Sequence, residues 1–187
     1  VETSAGNRAT YRVFKADGPQ HAGRHMSDSP YLVLAGFCGV CLLVAMSGAF
    51  FTPGQWYERL EKPSWTPPNW LFGPVWMVLY IMIAVSGWLV WREAGFAGAA
   101  TAFGIYAIQL VLNALWSAIF FGMKRPDLAI VDVVALWLSI LATIVAFAQH
   151  HTLAAWLLVP YLLWVTIASA LNVTVWRLNA DALRAQR

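Results

Sequence analysis

Charge is what this chain has least of. Only 11% of its 187 residues are Asp, Glu, Lys or Arg, where a soluble domain carries about a quarter. With 60% hydrophobic residues and a mean hydropathy of +0.61, that scarcity excludes an ordinary water-soluble domain. Cysteine is nearly absent. Cys38 and Cys41 form a C-x-x-C, but both lie in an apolar helical stretch without a basic neighbour, and i, i+3 geometry suits a disulfide poorly. They read as small buried residues and not as a redox pair. The histidines, His21, His25, His150 and His151, all fall outside the long apolar runs, which removes bis-histidine haem ligation. No H-E-x-x-H, glycine-rich phosphate loop or serine with a nearby base is present, so hydrolase and nucleotide chemistry lack support. The net charge of +3 is scattered over loops, which argues against a nucleic-acid partner.

What the chain does have is five apolar runs, roughly 30–51, 70–91, 99–121, 128–149 and 153–176. Each is close to the ~20 residues that cross a bilayer as a helix. Short connections make sequential helices antiparallel neighbours. The expected fold is an all-α integral membrane protein, a five-transmembrane-helix bundle over 30–177. Residues 178–187 read as a C-terminal tail. Residues 1–29 read as a polar N-terminal extension, upstream-start or tag-like and disordered, of which residues 1–25 precede Met26, with no signal-peptide cleavage pattern.

An odd number of spans places the first long loop, the 122–127 connection and the C-terminus on one side. That side holds seven basic residues, Arg59, Lys62, Lys124, Arg125, Arg177, Arg184 and Arg187, against Arg92 on the other when the extension is left out. The positive-inside rule makes the basic face cytoplasmic.

The first loop is unusual for a membrane protein. Gln55 to Leu60 fits a helical turn or two, and then Lys62-Pro63-Ser64-Trp65-Thr66-Pro67-Pro68-Asn69-Trp70 is aromatic and stiffened by proline into extended backbone. Asn69 is placed to cap the second span, and Pro74 falls near its first turn. At 1.5 Å per residue from the basic face, Trp116 lies about 8 Å deep, Trp76 about 9 Å, Asn113 and Ala168 about 12 Å, and Trp164 about 18 Å. Overlapping depths on three helices predict a cavity opening toward the loop. Gln109, Asn113, Trp116 and Phe120 share a face by helical spacing, as do Trp164, Ala168, Leu171 and Asn172. Buried amides turn away from lipid, so Gln109 reads as an interhelical hydrogen-bonding group. Trp70, Trp91, Trp156 and Trp176, at span ends, fit interfacial anchors; Trp76, Trp116, Trp137 and Trp164 lie too deep for that. Asp132, about 6 Å inside its span, is either a functional acid or one hydrated or paired with Lys124 or Arg125. Ala35 with Gly39 and Ala100 with Gly104 are small-residue pairs that let helices approach, within the bundle or between protomers.

Several spaced motifs resemble the tryptophan-rich sensory protein/translocator protein family (TspO/MBR, the peripheral benzodiazepine receptor type). They are Trp56-Tyr57, the segment from Lys62 to Trp70, Gly73-Pro74-Val75-Trp76 with Tyr80, Leu112-Asn113 with Trp116 and Phe120-Phe121-Gly122, and Pro160-Tyr161 with Trp164, Ala168 and Leu171-Asn172. The resemblance implies a homodimer of five-helix bundles among membrane lipids in a bacterial-type membrane. It implies a porphyrin ligand, a tetrapyrrole such as protoporphyrin, under the first loop, with no cofactor or metal. Carried over by motif, the ligand-binding residues are Tyr57, Trp65, Trp76, Asn113, Trp116, Trp164 and Ala168. The sterol-recognition motif of animal members needs a tyrosine where this chain has Val173, which argues against cholesterol.

Two classes of function follow: a tetrapyrrole sensor or carrier, and a light-dependent porphyrin-degrading enzyme in which Trp76 and Trp116 react. A lipid or sterol transporter is a third class. Binding is preferred because no acid, base or metal site for ordinary catalysis is visible.

Overall fold

The computed structural model describes residues 29–51 and 54–185, with side chains through Leu183. The expectations for residues 1–28 fall outside them. Five helices are long and apolar enough to cross a membrane: α1 (Pro30–Phe50), α3 (Asn69–Gly98), α4 (Ala100–Ser117, continued by a π-helical segment Ala118–Gly122), α5 (Pro126–Ala148) and α6 (Thr152–Leu178). Short helices α2 (Gln55–Glu58) and α7 (Ala180–Ala185) sit on the basic face. In space the long helices close a ring in the order α1, α3, α6, α5, α4.

Local chemistry sets the helix ends. Pro30 and Pro126 occupy first-turn positions, where a missing N–H is harmless, and the His151 ring accepts from the Ala154 N–H at 3.4 Å. Pro68, not Asn69, is the N-cap of α3; Asn69 is already helical and Pro74 lies inside the helix. Residues 92–94, expected in a connection, continue α3, which breaks only at Gly95, where φ of +66° suits a residue without a β-carbon. The expected C-terminal tail continues as α7. Thr143 and Ser169 satisfy their hydroxyls on carbonyls one turn back, and Ser86 bridges α3 to α6 by donating to the Ala154 carbonyl at 2.8 Å.

The half of the bundle away from the basic face is a solid aromatic core. Tyr106 stacks on Phe147 at 5.5 Å, and Phe37 meets Phe96, Phe103 and Tyr106 with ring centroids near 6 Å. The Trp88 indole donates to the Pro30 carbonyl at 2.8 Å and ties α3 to the start of α1. Gly87 makes this crossing possible. A β-carbon there would lie 2.7 Å from the Phe37 ring and 3.2 Å from that of Tyr106. Gly87→Val is therefore expected to destabilise the bundle by about 1–3 kcal/mol through overpacking, read as a lowered thermal midpoint in detergent. Gly36→Val, where a β-carbon meets nothing within 4 Å, serves as the comparison.

Two polar expectations are corrected. Gln109 is 1% exposed, yet neither end of its amide has a hydrogen-bond partner among the described residues, so it does not bridge helices. Asp132 is buried, with one oxygen unpartnered, and is not paired with Lys124 or Arg125; Arg125 instead grips Asp127 at 2.8 Å. Arg125 precedes α5 and reaches the acid in its first turn, so the pair closes locally at the surface. Cys38 is exposed and only Cys41 is buried, which corrects half of the expectation for that pair.

Candidate functional site

Toward the basic face the ring of helices encloses a cavity of about 670 Å³. Its walls hold Tyr57 of α2, Trp76 and Tyr80 of α3, Asn113 and Trp116 of α4, and Trp164 and Ala168 of α6. Trp76 stacks on Tyr80 at 5.3 Å and meets Tyr161 edge-on at 6.1 Å. Asn113, 5% exposed, joins three helices: its oxygen accepts from the Tyr80 hydroxyl at 2.7 Å and its nitrogen donates to the Tyr161 hydroxyl at 2.8 Å. The indole N–H groups of Trp116 and Trp164 are buried and find no acceptor among the described residues. The cavity thus offers flat aromatic walls and a fixed amide, and the two unpartnered indole N–H groups lie behind its surface.

The π-helical segment builds the roof. Its extra residue per turn offsets the chain, and Phe120 and Phe121 both reach Tyr57, at 6.1 and 5.4 Å, while Trp116 stacks on Phe120 at 5.1 Å. Burial pushes the Tyr57 phenol above its ordinary pKa, and the Lys62 ammonium lies 4.5 Å from its ring centroid. Tyr57 is thus neutral at physiological pH and supplies a wall, not a charge. Asn179, just beyond α6, anchors the loop: its oxygen accepts from the Glu61 N–H, and its nitrogen donates to the Glu61 and Val175 carbonyls, all within 2.9 Å.

The side wall is open. Cys38, Leu42 and Ala49 of α1 and Met77 and Ile81 of α3 line the cavity while remaining exposed, Leu42 at 63% and Met77 at 67%. These residues lie within membrane spans, so the gap between α1 and α3 faces hydrocarbon.

A profile of the TspO/MBR family matches residues 37–177, which takes in every element around the cavity. The chain belongs to the TspO/MBR family. It is 47% identical over 158 residues to the tryptophan-rich protein TspO of Chlorobaculum tepidum, covering 79% of this chain and 96% of that one. It is 44% identical over 144 residues to protein CrtK of Rhodobacter capsulatus, covering 74% and 88%. Human translocator protein is 41% identical over 155 residues, covering 80% and 92%. This TspO/MBR chain is accordingly an integral, multi-pass membrane protein.

Of the seven positions singled out in the sequence, Tyr57, Trp76, Asn113, Trp116, Trp164 and Ala168 line one cavity. Trp65 does not; it is 49% exposed and lies outside the cavity walls. Trp65 sits in a turn, closed by the Thr66 N–H donating to the Pro63 carbonyl at 3.0 Å, and not in the extended backbone expected of this loop. Trp164 is shallower than its residue count implied, because it touches Phe72 at the start of α3, at 5.6 Å. The cause is that α6 runs past the others to meet the loop at Asn179. The part played by Tyr80 and Tyr161 escaped the sequence reading, although each stands one turn from a cavity tryptophan.

Proposed function

We propose that this TspO/MBR protein binds a protoporphyrin-type tetrapyrrole in the cavity and acts as a sensor or carrier, with the first loop and C-terminus cytoplasmic. The observation that carries this reading is the set of aromatic rings, Trp76, Tyr80, Trp116 and Trp164, that wall an otherwise apolar chamber around the Asn113 amide. A flat, largely apolar macrocycle suits aromatic walls of this kind. The volume lies within the ~300–1,000 Å³ typical of small-molecule sites. The sideways opening supports a ligand that dissolves in lipid.

The test is a protoporphyrin titration of the full chain in nanodiscs, following tryptophan quenching in the dark. Saturation at micromolar porphyrin is expected, and the Trp116→Phe and Trp164→Phe variants should each weaken binding about 3–10-fold, on the scale of one aromatic ring contact. Absence of saturation in the intact protein sinks the proposal.

The Trp76–Tyr80 stack favours a second reading, light-dependent porphyrin degradation, because it sets an oxidisable indole against a phenol hydrogen-bonded to Asn113. In steady light under air, protein-dependent loss of porphyrin absorbance that disappears in Trp76→Phe, with affinity kept within a few-fold, would favour the enzyme. Unchanged photoproduct yield in that variant removes Trp76 from such a reaction.

A further inference from the structure

The structure assigns a second binding site, for a phosphate-type oxyanion at the membrane surface, to a recess of about 390 Å³ on the basic face. Three connections meet there: Arg59 follows α2, Lys124 lies in the turn before α5, and Asn179 joins α6 to α7. Trp56 and Leu60 complete an apolar side, and the described residues of the walls include no carboxylate.

Three observations agree on an anion. Arg59 and Lys124 form no ion pair among the described residues, whereas neighbouring Arg125 is neutralised by Asp127 at 2.8 Å. Two like charges on one small recess repel unless an anion joins them. Asn179 has its amide committed to Glu61 and Val175, so it shapes the wall and brings no competing acceptor. Lys124 is the one non-glycine among the described residues with positive φ, +57°. That conformation costs a residue with a β-carbon roughly 1–2 kcal/mol that glycine would avoid, and what lysine brings in exchange is its ammonium group.

The recess lies beyond the ends of the spanning helices, at headgroup level. Guanidinium and ammonium donors suit phosphate oxygens. A phosphodiester of an acidic phospholipid and a free phosphate share that chemistry. The site shares no lining residue with the porphyrin cavity, and Phe120, which lines neither, packs against Trp56 of the one and Tyr57 of the other.

The test weighs lipid retention by native mass spectrometry of the full chain released from equal mixtures of phosphatidylglycerol and phosphatidylcholine. Retention of one phosphatidylglycerol at about tenfold or more over phosphatidylcholine is expected, on the scale of two interfacial cations. In R59Q/K124Q the ratio should fall to parity. R59K/K124R should keep it, as should R125Q, which removes a cation of the same face outside the recess. A second arm adds inorganic phosphate to protein in phosphatidylcholine nanodiscs and follows the thermal midpoint. A rise lost in R59Q/K124Q assigns the site to free phosphate, and a preference seen with phosphatidylglycerol alone assigns it to a lipid headgroup. Either supports the site. No preference in either arm, or the same preference in R59Q/K124Q, overturns it, and an unchanged midpoint of that variant in phosphatidylcholine verifies its fold.

Discussion

Ala168→Phe is expected to abolish high-affinity porphyrin binding while leaving the bundle folded. Ala168 is half-buried, lies one turn beyond Trp164 on α6 and borders the cavity. A phenyl ring there takes up space that a macrocycle needs, yet it grows into a chamber of about 670 Å³ and not into packed core. The overpacking penalty that attends such a change in a dense interior is therefore largely avoided. The dissociation constant should rise at least ~100-fold, some 2.7 kcal/mol, with the thermal midpoint without ligand little altered. Affinity within a few-fold of the parent protein would place the porphyrin elsewhere.

Asn113→Leu should strike both stability and binding. Tyr161 is fully buried and Asn113 nearly so, and among the described residues the amide alone joins the Tyr161 and Tyr80 hydroxyls. Leucine leaves those hydroxyls unpaired, at about 1–3 kcal/mol for each buried unsatisfied group in water-soluble proteins and nearer ~0.6–1.7 kcal/mol within a membrane. A fall in the thermal midpoint and about a tenfold loss of porphyrin affinity are expected. Tyr80→Phe removes one bond of the set, so the double variant should lose less than the sum of the two single ones. Strict additivity would show that Tyr80 and Asn113 act independently.

The sequence carried these features unequally. Span lengths and order follow directly from hydropathy, because a charge in hydrocarbon is costly and runs such as 128–149 contain almost none. Trp76, Asn113 and Trp116 could be brought together by depth alone, since aromatics and an amide at that depth stand out from aliphatic neighbours. The contribution of α1 could not. Cys38, Leu42, Ala45 and Ala49 face a cavity on one side and lipid on the other, and two apolar environments leave no amphipathic signature. Tertiary contacts also escape counting. The protrusion of α6 depends on Asn179 meeting Glu61, 118 residues away in sequence, and the isolation of Gln109 depends on what neighbouring helices fail to offer.

The open side wall between α1 and α3 changes what concentration means for this protein. A solute arriving through hydrocarbon is dosed per mole of lipid, and its partition coefficient multiplies whatever is dissolved in the buffer. Doubling the bilayer area at fixed total solute dilutes the supply at the doorway, so an affinity quoted per litre of water will drift with the amount of membrane in the tube. Expressed as mole fraction in the bilayer, the same affinity should hold constant from nanodisc to vesicle.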